Sequence, residues 1–273
     1  MKLEKEYDSI LKKIKTLKTQ GAENVAKKGI EAFLLKPTKS SANKILSLRE
    51  TEPLLQNSIK VLLNSENIKL SSEEILKEIK KSHDLIVKEG SKLIKEDMNI
   101  YSHCHSSTVI DIFKEAKKQK KNFTVYTTEV EPHLQGRKTA VNLSKVGIKV
   151  VIGPDLAAEH LLKGCDLFLF GADAYTKDFV YNKIGTKILC NIAENYNIPC
   201  YSCGIALKFT DKIKIEKRRG KEVWDERNKL IQTVYPAFDK TPNKLLTGII
   251  SEFGVNKPKD FVKLASKKIK NLN

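Results

Sequence analysis

The sequence predicts an α/β protein in two parts: a helical N-terminal region over residues 1–97, then a region built on a mostly parallel sheet over residues 98–273. Three observations predict it. Apolar residues in the first third recur at helical spacing, and no strand candidate precedes about residue 98. From Met98 onward, short apolar runs alternate with helical stretches of ~10–14 residues. One of those runs, DLFLFGAD, is almost uninterrupted in its apolar character, as expected of a strand covered on both faces.

The elements follow in order. Ile10, Leu11, Ile14 and Leu17 mark a first helix and Ala22, Val25, Ala26 and Ile30 a second, with Gly21 separating them. Ser71, Ser72, Glu73 and Glu74 have the form of a capping box before a helix that carries Ile75, Ile79, Ile86 and Val87. NIYSHC is then a strand and SSTVIDIFKEAKKQ a helix. FTVYTTE is a strand and GRKTAVNLSKVG a helix. KVVIG is a strand and DLAAEHLLKG a helix. DLFLFGAD, TKILCNIAENYN and IPCYSCG continue as strand, helix and strand. The tail KPKDFVKLASKKIKNLN predicts a terminal helix, docked by Phe261, Val262 and Leu264 with its lysines solvated. This alternation implies βαβ units and a parallel sheet with helices on both faces. Ligands bind such sheets at the C-terminal strand ends. Residues 103–107, 128–131 and 171–173 fall at that edge.

Composition narrows the function. The 273 residues are 40% hydrophobic, enough for a sizeable core. No apolar run reaches the ~18 residues of a membrane span. The first residues, MKLEKEYDSILKKIK, lack the apolar stretch of a signal peptide, so a cytoplasmic location is expected. Five cysteines, at 104, 165, 190, 200 and 203, are an odd and scattered set, and reduced thiols are expected. The net charge is +17. Residues 1–95 hold 20 Lys and Arg against 13 Asp and Glu, and the remainder 30 against 20, so the excess is spread along the chain. Spread lysine indicates solvated helix faces before specific nucleic-acid recognition, although the field attracts sugar phosphates, nucleotides or RNA.

The stretch HCHSS carries chemistry-bearing residue types at a predicted strand end. Cys104 precedes a helix start, a location that lowers a thiol pKa and suits a nucleophile or proton-transfer group; a buried structural cysteine is the plainer alternative. Ser106 and Ser107 are the expected N-cap and first helical residue, able to cap the helix or to cradle a phosphate. Adjacent strand residues point to opposite faces, so His103, Cys104 and His105 do not share one metal ion easily. Cys200 and Cys203 have C-x-x-C spacing but lie inside a predicted strand, as core. Asp173 ends an apolar strand, where desolvation raises a carboxyl pKa toward acid–base use; an N-cap or turn aspartate is the plainer alternative. Asn182, Lys183 and Gly185 supply an amide, a cation and a turn just before a helix, suited to an oxyanion or phosphate.

Taken together, HCHSS, TTEVEPHLQGRKTA, GADAYTKDFVYNKIGT, LKF and YPAFDKTPNKLLTGIISEFGV resemble one superfamily. It comprises the alpha, beta and delta subunits of initiation factor 2B, ribose-1,5-bisphosphate isomerase and methylthioribose-1-phosphate isomerase. The resemblance runs over about residues 98–255, and more weakly through QGAENVAKKGIEAFL and LRETEPLL. It implies a helical N-terminal domain packed on a Rossmann-like C-terminal domain, an active site between them, and dimers or larger homo-oligomers. It implies proton transfer by Cys104 and Asp173 on a phosphorylated sugar, with no metal or redox cofactor. Gln20, Gly21, Arg49, Ser106, Ser107, Asn182, Lys183 and Lys208 are then the expected substrate-binding residues. Ribose 1,5-bisphosphate is the expected substrate, with a nucleotide such as AMP as an activator. The other branch of the superfamily implies a non-catalytic subunit partnered with initiation factor 2. Two positions depart from the isomerase pattern: Gln20 and Glu131 stand where the isomerases carry arginine. An acid at 131 repels a phosphate unless it points away.

Overall fold

A computed structural model describes residues 2–272. The chain begins with five helices: α1 (Lys2–Lys15), α2 (Ala22–Leu35), α3 (Lys39–Leu46), α4 (Pro53–Leu63) and α5 (Ile68–Leu93). Leu17 lies outside α1, in a left-handed turn at φ 57°. The capping box expected at residues 71–74 is not one. Asn67 caps α5 by accepting from the Leu70 N–H at 3.1 Å, so the serines fall inside the helix. There the Ser72 hydroxyl donates to the Lys69 carbonyl. Chain polarity explains the error: Asn67 satisfies the first free N–H groups before the serines are reached.

Strands and helices then alternate: β1 (Met98–His103), α6 (Ser107–Lys118), β2 (Phe123–Thr128), α7 (Gln135–Ser144), β3 (Lys149–Gly153), α8 (Ala158–Leu162) and β4 (Leu167–Gly171). The helix expected over residues 155–164 is in fact a 3-10 turn, Asp155–Ala157, running into the short α8. After β4 come β5 (Ala174–Tyr175), β6 (Phe179–Lys183), α9 (Thr186–Asn195), β7 (Cys200–Cys203), β8 (Phe238–Pro242), β9 (Gly248–Ser251), β10 (Gly254–Asn256) and α10 (Pro258–Lys270).

The main sheet has the order β10-β9-β7-β4-β1-β2-β3, parallel except for β10. A small antiparallel sheet, β5-β6-β8, was not foreseen and carries Asn182 and Lys183. Alternation along the central strands builds two cores. Ile100 and Leu169 face a core shared with α1 to α6, while Tyr101, Phe168 and Phe170 face one shared with α8, α9 and α10. In α10, Phe261 and Ala265 are the buried residues and Leu264 is exposed, contrary to expectation.

Chain order and spatial order part company at β1. The chain leaves β1 through α6 to pair with β2 on one side, while β4 pairs on the other. The switch point of the sheet therefore lies between β1 and β4, and a crevice opens there at the C-terminal strand ends. His103 is in register with Phe170, so Cys104 and the Gly171–Asp173 turn emerge side by side.

Candidate active site

Cys104 directly follows β1 and has φ 69°, a left-handed backbone rare for a residue with a Cβ. The fold holds it there. The Thr139 hydroxyl of α7 donates to the Cys104 carbonyl at 2.8 Å, and His105 Nδ1 lies 3.0 Å from the same hydroxyl. Ser106 caps α6, its hydroxyl accepting from the Val109 N–H. The helix start does not lower the thiol pKa as the sequence suggested. Burial pushes it up to about 11, against Lys183 and the His105 N–H, which favour the thiolate. Desolvation outweighs both because the thiolate loses its water.

Asp173 follows β4. Burial raises its pKa, opposed by Lys208, Arg49 and Lys183. Glu52 is fully buried nearby; burial lifts it to about 8 despite Arg49. One Glu52 oxygen accepts from Arg49 Nη2 at 2.6 Å, and Oε2 has no hydrogen-bond partner. Arg49 also donates to Glu216 at 3.2 Å, so two glutamate side chains hold its guanidinium. Lys183 Nζ donates to the Tyr235 hydroxyl at 3.0 Å and Lys208 Nζ to the Ala172 carbonyl at 2.7 Å. The Asn182 amide donates to Thr186 at the start of α9. His103 is buried and its pKa falls to about 4 for that reason. Its Nε2 lies 3.0 Å from the Ile184 carbonyl, which only accepts, so Nε2 carries the proton of the neutral ring.

The ten residues expected to transfer protons or bind the substrate line one pocket: Gln20, Gly21, Arg49, Cys104, Ser106, Ser107, Asp173, Asn182, Lys183 and Lys208. The helical region contributes Gln20, Gly21 and Arg49, and the ends of β1, β4 and β6 supply most of the others. Glu131 does not line it. That residue is exposed, its N–H donating to Asp155 after the turn at β3, so it lies outside the pocket.

The pocket also holds residues that the sequence did not single out. Glu23 closes one wall, accepting from Thr108 at 3.4 Å and contacting His83 Nδ1 at 3.0 Å. His83 Nε2 meets Asp111 at 3.2 Å, and the hydrogen bonds that its ring donates to Asp111 and then Glu23 raise the His83 pKa to about 9. Glu216, Arg218 and Tyr235 come from the irregular segment between residues 210 and 237. Thr51 ties that segment down, its hydroxyl accepting from the Glu216 N–H at 2.7 Å. Arg218 donates to Glu222, which also contacts His133. Glu52 had a signal, three residues after Arg49 in LRETEPLL; Glu216 and Arg218 had none. Among the described residues, no group of three or more His, Cys, Asp or Glu is placed to hold a metal ion.

The chain is similar to known proteins in sequence and in fold. The chain is 32% identical over 276 residues to ribose 1,5-bisphosphate isomerase of Methanocaldococcus jannaschii, covering 90% of each. It is 29% identical over 299 residues to the enzyme of that name from Thermococcus kodakarensis, covering 94% of this chain and 93% of that one. The crystal structure of Pyrococcus horikoshii OT3 translation initiation factor eIF-2B superposes with a TM-score of 0.86 at 26% identity, over 94% of this chain and 98% of that one. The family model described as the initiation factor 2 subunit family matches residues 9–258. With that model matched over residues 9–258 and a relative 32% identical over nine-tenths of its length, the chain belongs to the initiation factor 2 subunit family.

Proposed function

We propose that this protein is an aldose–ketose isomerase acting on ribose 1,5-bisphosphate to give ribulose 1,5-bisphosphate. The observation that carries the reading is the placement of Cys104 and Asp173 at the ends of adjacent strands, in one pocket with Lys183 and Lys208. Relatives about 30% identical over nine-tenths of the chain bear that activity in their names.

The chemistry needs four proton movements. A proton on the ring oxygen lets its bond to C1 break, leaving positive charge on C1 shared with the phosphate oxygen. Loss of the C2 proton gives an enol. The enol takes a proton at C1 and loses its hydroxyl proton to become the ketose. Two protons are delivered and two removed, so Cys104 and Asp173 end as they began. Burial raises the pKa of both groups, to about 11 at Cys104, which strengthens them as proton holders, so donation to the ring oxygen comes first. Lys183 and Lys208 hold the phosphate nearest the reacting carbons, with the start of α6 at Ser106 and Ser107 adding N–H donors. Gln20, Gly21, Arg49 and Asn182 complete the substrate wall. No cofactor takes part. The active species is a cytoplasmic homodimer or larger homo-oligomer, and a nucleotide serves as activator.

A second reading, a non-catalytic subunit that binds initiation factor 2, is favoured by one observation: Arg49 is held by both Glu52 and Glu216 rather than left free for phosphate. Single variants separate the two. Under the isomerase reading, Cys104→Ser and Asp173→Asn abolish ketose formation while circular dichroism stays native. A subunit instead co-purifies with initiation factor 2 and is indifferent to Cys104→Ser.

A further inference from the structure

The pocket opens at Gln20 and Gly21 into an outer cleft that shares His105, Ser107 and Gln135 with it. Lys18, Lys27, Lys28 and Lys138 line that cleft. Their charges are not equivalent. Lys28 is paired with Glu31, and Lys27 faces Glu23 at 4.0 Å. Lys138 reaches from α7 across to the helical region, its Nζ 3.5 Å from Gln20 Oε1, a neutral partner. Its field also reaches the reacting thiol, where it favours the thiolate, and His105, where it favours the neutral ring. Its neighbour Thr139 bonds the Cys104 carbonyl, which fixes this turn of α7 beside the site. The first N–H groups of α6, at Ser107 and Thr108, have no acceptor within their own helix.

Resting on the isomerase reading, we propose that Lys138 is the cation that binds the second phosphate of the sugar bisphosphate, at the cleft mouth, with Gln20 aligning it. Its ammonium stands beside Gln20, which brings no charge of its own to the cleft mouth. The inner chamber has Lys183 and Lys208 free of carboxylate hydrogen bonds, enough for one phosphate, while both of its arginines are held by glutamates. A second phosphate therefore needs an outer cation. Lys138 meets that need at a point continuous with the inner wall.

The test is calorimetric titration of the full chain with ribulose 1,5-bisphosphate. Lys138→Met weakens binding about tenfold or more, as expected for losing a charge-assisted contact. Adding Gln20→Arg to that variant recovers most of the loss by placing a cation on the opposite wall. Lys145→Met, an equal change in net charge on the exposed end of the same helix, leaves binding as it was. Unchanged binding in Lys138→Met, equal losses in both lysine variants, no recovery with Gln20→Arg, or no binding by the wild type overturns the proposal. Turnover separates it from the reading it rests on. This binding pattern without ketose formation sinks the isomerase and keeps the subsite; turnover that ignores Lys138→Met sinks the subsite alone.

Discussion

At Cys104 burial competes with nearby positive charge and a hydrogen bond. Burial raises the thiol pKa, and Lys183 and the His105 N–H lower it; burial prevails and the group sits near 11. Alkylation of Cys104 by iodoacetamide is therefore expected to be slow at pH 7.5 and to climb steadily toward pH 11. A plateau reached below pH 8 contradicts this account. His83 gives a second prediction. Its pKa rises on folding from 6.5 to about 9, through Asp111 and then Glu23. The stability it adds is full below pH 6.5 and is lost as pH rises through about 9. Denaturant melts of wild type and His83→Gln should differ most near pH 6 and converge by pH 10; a constant gap refutes the linkage. The locations of Cys104 and Asp173 were legible because strand-end rules depend on local pattern. The upward shift at Asp173 was legible too, from its place at the end of an apolar strand; the upward shift at Cys104 was not, because its burial is set by elements far away in the chain.

At the level of elements, α7 holds the chemistry in place by lying close against the end of β2. Gly136 makes this approach possible: a Cβ there would lie 1.7 Å from the Thr128 carbonyl oxygen. Gly136→Ala should destabilise the fold by at least the ~1–3 kcal/mol typical of overpacking, because backbone must move. Gly29→Ala meets the tip of Leu55 at 2.2 Å, a side chain that can turn aside, and should cost less. Thermal melts of the two variants check the order, and a milder effect at Gly136 contradicts the packing described. The βαβ succession and the Ser106 cap were legible because period and cap chemistry are local. The small β5-β6-β8 sheet was not. β5 is two residues long, and β6 pairs with β8 across a gap of more than fifty residues. The serines at 71 and 72 misled because a better-placed asparagine precedes them.

Across the whole molecule, the switch point between β1 and β4 brings residues from opposite ends of the sequence into one pocket. A net charge of +17 surrounds it. Such a field draws anions in and is screened by salt, so kcat/KM for a sugar bisphosphate should fall as ionic strength rises, with kcat less affected. A flat salt profile of kcat/KM argues that capture is purely local. The parallel sheet was legible from the alternation of elements. The wall formed by the segment between residues 210 and 237 was not, since no periodicity announces where Glu216 and Arg218 return to the pocket. The central claim is that this pocket turns an aldose phosphate into a ketose. Carbon-13 NMR of ribose 1,5-bisphosphate labelled at C1, incubated with the purified chain with and without AMP, tests it most directly. The account predicts that the anomeric C1 signal gives way to the C1 methylene of ribulose 1,5-bisphosphate, and that Cys104→Ser stops the change; an unaltered spectrum with the folded wild-type protein contradicts it.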